Sequence, residues 1–113
     1  MIENNEDNRD TVRRLLELVG YEVESAGDGR EGVERAHKFL PEVALVDLAL
    51  PTWDGYEVAS RLRDKFGKAI KIVALSGFAR DEDKAAANNA GFDDFLAKPV
   101  SFERLKDVLR FPA

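Results

Sequence analysis

Val43-Ala44-Leu45-Val46, four apolar residues in succession closed by Asp47, is the stretch that decides how this chain reads. A continuous apolar run of strand length has no polar face to offer water, so it predicts a strand covered on both sides. Ile70 to Leu75, I-K-I-V-A-L, is a second such run, and D-F-L-A at 94–97 is a short third one. Helical spacing fills the intervals between them. Val12, Leu15, Leu16, Leu18 and Val19 recur from Asp10 until Gly20 stops them. Asp28 can cap a helix through Val33, Ala36 and Phe39 that Pro41 ends. Val58, Leu62 and Phe66 follow the loop P-T-W-D-G at 51–55; an alanine-rich helix covers about 81–90 and ends at Gly91. Ser101 can cap a last helix through Leu105, Val108 and Leu109. Tyr21 to Ser25 alternates as Y-E-V-E-S and predicts one more short strand. Strands and helices in alternation imply an α/β fold, a parallel sheet with helices on both faces.

At 113 residues and 44% hydrophobic, the chain has the size and apolar content of one domain, 1–113. Twenty-two acidic residues against 17 basic leave a net charge of −5, which argues against binding to nucleic acid or to an anionic membrane. The absence of cysteine excludes disulfides, thiolate metal sites and cysteine nucleophiles, and fits a cytoplasmic location. The longest apolar stretch, Val43 to Leu50, is interrupted by Asp47 and too short to span a bilayer.

Open parallel sheets bind ligands outside the carboxyl ends of their strands. Four strand ends carry polar residues here: Glu3 and Asn4, then Asp47, Ser76 and Lys98. Alone, each has an ordinary reading as a turn, cap or solvated residue. Delivered to one place, they form a site of carboxylates, a hydroxyl and an ammonium.

V-D-L-A-L-P-T-W-D-G (46–55), A-L-S-G (74–77) and F-L-A-K-P-V (95–100), with I-E-N-N-E-D-N-R (2–9) before them, resemble the receiver domain of two-component response regulators, with hybrid histidine kinases as one source. The resemblance runs nearly the whole chain in order. It implies a flavodoxin-like, doubly wound, five-stranded parallel sheet of order 2-1-3-4-5. It also implies a phosphoacceptor in a phosphorelay, receiving phosphate from a histidine kinase or a histidine phosphotransfer protein, and not a turnover enzyme. By resemblance Asp47 is the phosphoacceptor, Ser76 the switch hydroxyl, Phe95 the switch aromatic and Lys98 the lysine that contacts the phosphoryl group. Glu3 and Asn4 fall on the acidic pair that binds Mg²⁺, and Ala49 falls where a backbone carbonyl is a ligand.

Elementary chemistry supports those roles. Phosphoryl transfer needs in-line placement and neutralised oxygens. Oxygen donors from Asp47, Glu3 and a carbonyl suit Mg²⁺, while Lys98 adds a compact positive charge and Ser76 a hydrogen-bond donor able to pull its loop inward. Asn4 departs from the family pattern, since its amide oxygen can coordinate but brings no charge; weak Mg²⁺ binding is the consequence. A register with Glu6 and Asp7 as the acidic pair would put polar residues in a covered strand. A phosphorylation-independent binding module is the alternative function, motivated by Asn4. A dehalogenase-type phosphatase would need an acid where Ala49 stands, and a flavin site a phosphate-cradling loop where E-N-N-E-D repels phosphate.

His37, the only histidine, reads as a solvated surface residue, and Trp53 and Tyr56 as loop packing over the third helix. Ala49 and Phe78 cannot position an attacking water, which predicts a long-lived acyl phosphate. Ser76 and Phe95 bracket the fourth helix, so the face from there to the last helix, with Asp83, Lys84, Asp94 and Arg104 exposed, is the expected output and homodimer surface. The first strand is a stub, since only Met1 and Ile2 are apolar before the first helix. Its missing amino end predicts a truncated chain or a gap filled from elsewhere, such as by a neighbouring chain's segment.

Overall fold

The computed structural model describes residues 1–77 and 81–109. Five helices and three strands alternate: α1 (Glu6–Leu18), α2 (Gly29–Phe39), β1 (Val43–Asp47), α3 (Gly55–Phe66), β2 (Lys71–Ser76), α4 (Asp81–Asn89), β3 (Asp94–Ala97) and α5 (Phe102–Leu109). The strands form one parallel ladder in the order β1-β2-β3, with Asp47 opposite Leu75 and Ser76 opposite Ala97.

Side chains alternate across the pleat, and the two faces collect different helices. Ala44, Val46, Ile72 and Ala74 face Val33 and Ala36 of α2, Val58, Ala59 and Leu62 of α3 and Ala87 of α4. Leu45, Val73, Leu75 and Leu96 face Val12 and Leu16 of α1 and Leu105, Val108 and Leu109 of α5. Both predicted apolar runs are therefore covered on two sides, as their composition requires. The expected caps form. Asp28 accepts from the Glu31 N–H at 2.8 Å, and Ser101 Oγ accepts from the Arg104 N–H at 3.1 Å; a cap of this kind is worth about 1 kcal/mol.

Two expectations need correction. Helix α1 starts a turn before Asp10, because Asn5 caps it by accepting from the Asn8 N–H at 3.0 Å. The segment Tyr21–Ser25 forms no strand, so the regular ladder of the described residues holds three strands, with Ile2 bridging beside it. A strand needs a partner along its length, and this one has only the stub. Ile2 alone makes parallel bridges, to Ala26 on one side and to Val46 on the other.

Gly55 shows how tightly the β1–α3 loop closes. A Cβ there would lie 2.5 Å from the Asp47 carbonyl oxygen and 2.6 Å from the Leu48 Cα. Both are backbone atoms that cannot swing away, so Gly55→Ala is expected to cost about 1–3 kcal/mol by overpacking. Urea denaturation checks this; an unchanged midpoint would contradict the close approach.

Candidate functional site at the carboxyl ends of the strands

Each site residue arrives at the sheet's carboxyl edge for a local reason. Ile2 threads between its neighbours, donating its N–H to Leu45 O at 2.7 Å and accepting from the Asp47 N–H at 2.9 Å. Those bonds carry Glu3 to the level of Asp47. The Glu3 N–H then donates to Ala26 O at 3.0 Å, and Arg9 Nη1 donates to Glu3 O at the same distance. Lys98 follows β3, its N–H bound to Ser76 O at 2.7 Å.

The side chains meet over a nearly dry floor. Glu3 is 2% exposed, Asp47 5% and Ser76 7%, the buried polar residues of the described core. Lys98 Nζ lies 2.8 Å from Asp47 Oδ2 and 2.9 and 3.0 Å from the two Glu3 carboxylate oxygens. The other Asp47 oxygen, Oδ1, accepts from the Ala49 N–H at 3.0 Å. One ammonium thus holds two buried carboxylates together, 95 and 51 residues away in sequence.

Their titration follows from that geometry. Burial pushes the Glu3 carboxyl above its ordinary range, and the neighbouring Asp47 carboxylate adds to the rise. Burial works the same way on Asp47, but hydrogen bonds from Glu3, Lys98 and the Ala49 N–H outweigh it and hold that carboxyl below the usual range. Burial would lower Lys98, yet the two carboxylates win and raise it. Asp47 is accordingly the more acidic member of the pair.

The donor set suits a small hard cation. Two carboxylates, the Ala49 carbonyl and the Asn4 amide oxygen are all oxygen donors, and Mg²⁺ characteristically takes one or two carboxylates while keeping several waters. Among the described residues no group of three acidic, histidine or cysteine side chains converges. Glu3 and Asp47 are the two carboxylates that meet there.

The structure brings Glu3, Asp47 and Lys98 into contact, with Ser76 one strand over. Asn4 is exposed and stands outside that hydrogen-bonded cluster. Glu6 and Asp7 occupy the first turn of α1, away from the strand end, where they complement the helix dipole. Phe95 is half-buried against the α2–α3 core, and its carbonyl accepts from Arg104 at 3.5 Å. Phe78 lies outside the described residues. On the expected output face Lys84 and Arg104 are exposed, but Asp83 and Asp94 are half-buried. His37 is exposed, its Nδ1 donating to Val33 O at 2.7 Å. Trp53 stacks under the Arg61 guanidinium at 3.6 Å and Tyr56 meets Phe92 edge-on, so both pack the loop as expected.

Sequence reasoning missed Arg9, whose bond to the Glu3 carbonyl braces the acidic corner. Its place one turn into α1 was the available signal. Also missed was the Ala49 N–H, which meets Asp47 where only a carbonyl ligand was expected.

Comparison with known proteins identifies the family. A family model described as the response regulator receiver domain matches residues 1–110. Response regulator MprA of Mycobacterium leprae is 35% identical over 102 residues, covering 90% of this chain and 44% of its own length. The chain thus spans less than half of that relative. Chemotaxis protein CheY4 of Vibrio cholerae superposes with a TM-score of 0.88 at 29% identity, over 96% of this chain and 91% of its own. The receiver domain of sensor histidine kinase PA1611 from Pseudomonas aeruginosa, described with a magnesium ion coordinated in its active site cleft, gives 0.85 at 30% identity over 96% and 89%. The α/β architecture is that of these flavodoxin-like folds. With a family match along nearly the full length, the chain belongs to the response regulator receiver domains of two-component signalling.

Proposed function

We propose that Asp47 accepts a phosphoryl group from a phosphohistidine of a histidine kinase or phosphotransfer protein. The observation that carries this reading is the Lys98 ammonium seated between the buried carboxylates of Asp47 and Glu3. In the transfer, Asp47 forms a bond to phosphorus, the nitrogen–phosphorus bond breaks, and the imidazole leaves. Lys98 is already 2.8 Å from an Asp47 oxygen, so it can follow the charge onto a phosphoryl oxygen without travelling. The Ala49 N–H holds the second carboxylate oxygen and so orients the nucleophile. Glu3, Asp47, the Ala49 carbonyl and Asn4 would hold Mg²⁺, which neutralises charge between nucleophile and phosphate. Ser76 would donate to the new phosphoryl group, and Phe95 would follow its loop. The face from α4 to α5 would carry the output and a homodimer contact. The methyl side chain of Ala49 offers an attacking water no hydrogen bond, which favours a slow loss of phosphate.

The reading places the domain in the cytoplasm, with no nucleic-acid or membrane partner of its own. No helix among the described residues is long and apolar enough to cross a membrane. The complete strand order 2-1-3-4-5 belongs to the same proposal, the bridges at Ile2 supporting it. Intact Asp47, Ser76 and Lys98 favour phosphoacceptance over a phosphorylation-independent binding role. Incubation with acetyl phosphate and Mg²⁺ tests it: intact-mass spectrometry should show one phosphoryl adduct per chain, and no uptake would overturn the reading.

Asn4 sets the metal affinity. Asn4→Asp adds a unit charge beside the site, worth a few kcal/mol at an effective dielectric near 20. Exposure of residue 4 reduces that to about 1.4 kcal/mol, or tenfold tighter Mg²⁺ binding by calorimetry. Equal or weaker binding by the variant would remove residue 4 from the metal site.

A further inference from the structure

Among the described residues, two that are not glycine have positive φ, Leu40 at 56° and Thr52 at 65°. Leu40 closes α2 as its left-handed C-cap, an ordinary place for that conformation. Thr52 ends no helix. It lies in the loop between β1 and α3, and a β-branched residue at positive φ is an outlier there. Such strain persists only where the surroundings over-determine it.

The surroundings are the amino end of α2. A helix start leaves its first N–H groups without intrahelical partners. In α2 the Gly29 N–H donates to Pro51 O and the Arg30 N–H to Thr52 Oγ1, both at 3.2 Å, while the Glu31 N–H takes Asp28. The first two acceptors belong to the β1–α3 loop, so that loop completes the cap of α2. The single proton of Thr52 Oγ1 has Pro51 O at 2.7 Å and Asp28 Oδ1 at 3.3 Å within reach. Contact is close, since a Cβ on Gly29 would collide with the Trp53 carbonyl oxygen. Elsewhere the loop is held unevenly. Leu48 donates to Leu75 O and accepts from the Gly55 N–H, both at 3.0 Å, and the Ala49 N–H is held by Asp47. The next peptide joins the Ala49 carbonyl to the Leu50 N–H, and neither group bonds to another described residue. Its plane is therefore set from its two ends, by Asp47 before it and by the attachment of Pro51 and Thr52 to α2 after it.

We propose that Thr52 is a positioning residue whose hydroxyl latches the β1–α3 loop to the amino end of α2 and thereby fixes the orientation of the Ala49–Leu50 peptide. The strained backbone is the consequence of placing that hydroxyl against the helix start. The side chain touches neither Asp47 nor Lys98; it acts through the loop that follows Asp47. Its bearing on the metal rests on the reading of the Ala49 carbonyl as a Mg²⁺ ligand, whereas the latch itself stands on the bonds to α2. A helix that supplies no side chain to the site thus holds one edge of it in place.

The test compares Thr52→Ser, Thr52→Val and Thr52→Gly in the 113-residue chain. Serine keeps the hydroxyl, valine keeps the shape without it, and glycine gives up both while relaxing the backbone. Amide exchange in the absence of metal reads the latch. At Ala49 it should quicken about fivefold in the valine and glycine variants and stay near the wild-type rate in the serine variant. The Leu45 amide in the buried centre of the sheet is the reference, since a loss of global stability would quicken both alike. Titration with Mg²⁺ by calorimetry should show about fivefold weaker binding in the same two variants. Exchange at Ala49 that moves only in step with Leu45, or that serine quickens as much as valine does, would overturn the proposal. Faster exchange at Ala49 alone, with Mg²⁺ affinity unchanged, would uphold the latch and remove the Ala49 carbonyl from the metal site instead.

Discussion

Asp47→Asn is expected to abolish phosphoryl uptake from acetyl phosphate in Mg²⁺, while the wild-type protein takes up one group. The loss should be complete because no other carboxylate of the described chain combines the three requirements that Asp47 meets. Its carboxyl is held below the usual range, its Oδ1 accepts from the Ala49 N–H, and a lysine ammonium lies 2.8 Å from its Oδ2. Glu3 shares the lysine, but it is 2% exposed and burial holds its carboxyl toward the protonated form, a poor nucleophile. Asparagine keeps the size and one carbonyl oxygen, so the fold should survive; a thermal melt verifies that. Intact-mass spectrometry reads the outcome. An adduct on the variant at the wild-type level would place the phosphoacceptor elsewhere and dissolve the site as proposed.

Lys98→Met is the substitution with the largest expected effect on stability. It leaves two carboxylates facing each other in a buried site without their cation. Removing one partner of a buried ionic cluster costs about 3–5 kcal/mol. Because Lys98 is 22% exposed and one carboxyl can take up a proton, a value near the lower end, about 3 kcal/mol, is expected. The pH dependence has a definite sign. In the wild type the raised Lys98 contributes stability that is full below its unfolded pKa and lost as pH rises through the folded value. The lowered Asp47 contributes stability present above its unfolded pKa and lost as pH falls through the folded one. Glu3, raised by burial, costs stability at neutral pH, and that cost is relieved as pH falls through its folded value. Without Lys98 the Ala49 N–H still holds Asp47, but burial and mutual repulsion of the two carboxylates, both relieved by protonation, lose their main counterweight. The difference between variant and wild type should therefore shrink from pH 7 to pH 5. Urea melts at the two pH values measure it, and a gap that stays constant would mean that the lysine's contribution is packing rather than charge.

These results bear on how much the sequence discloses. The apolar runs at 43–46 and 70–75, the caps Asp28 and Ser101, and the polar residues at the strand ends are local signals. Each was legible because strand pleat, helix turn and cap geometry repeat over a few residues. Tyr21 to Ser25 was misread for the same reason. Its alternation is a sound strand pattern, but pairing is a property of two segments, and the neighbour it needs contributes only Ile2. Asn5 was passed over because the helical apolar spacing begins later than the helix does. Asp83 and Asp94 look exposed by their charge, yet both are half-buried in the fold.

By itself, then, the sequence determined the alternation of elements, the covered centre of the sheet and the identity of the residues at its carboxyl edge. Periodicity and capping act within a few residues, so these needed no knowledge of the rest of the chain. Only the tertiary structure decided that Lys98 bridges Glu3 and Asp47 and that Asn4 stands outside that contact. Those are relations between segments up to 95 residues apart. Burial and the charges it brings together create them, and neither exists until the sheet has closed.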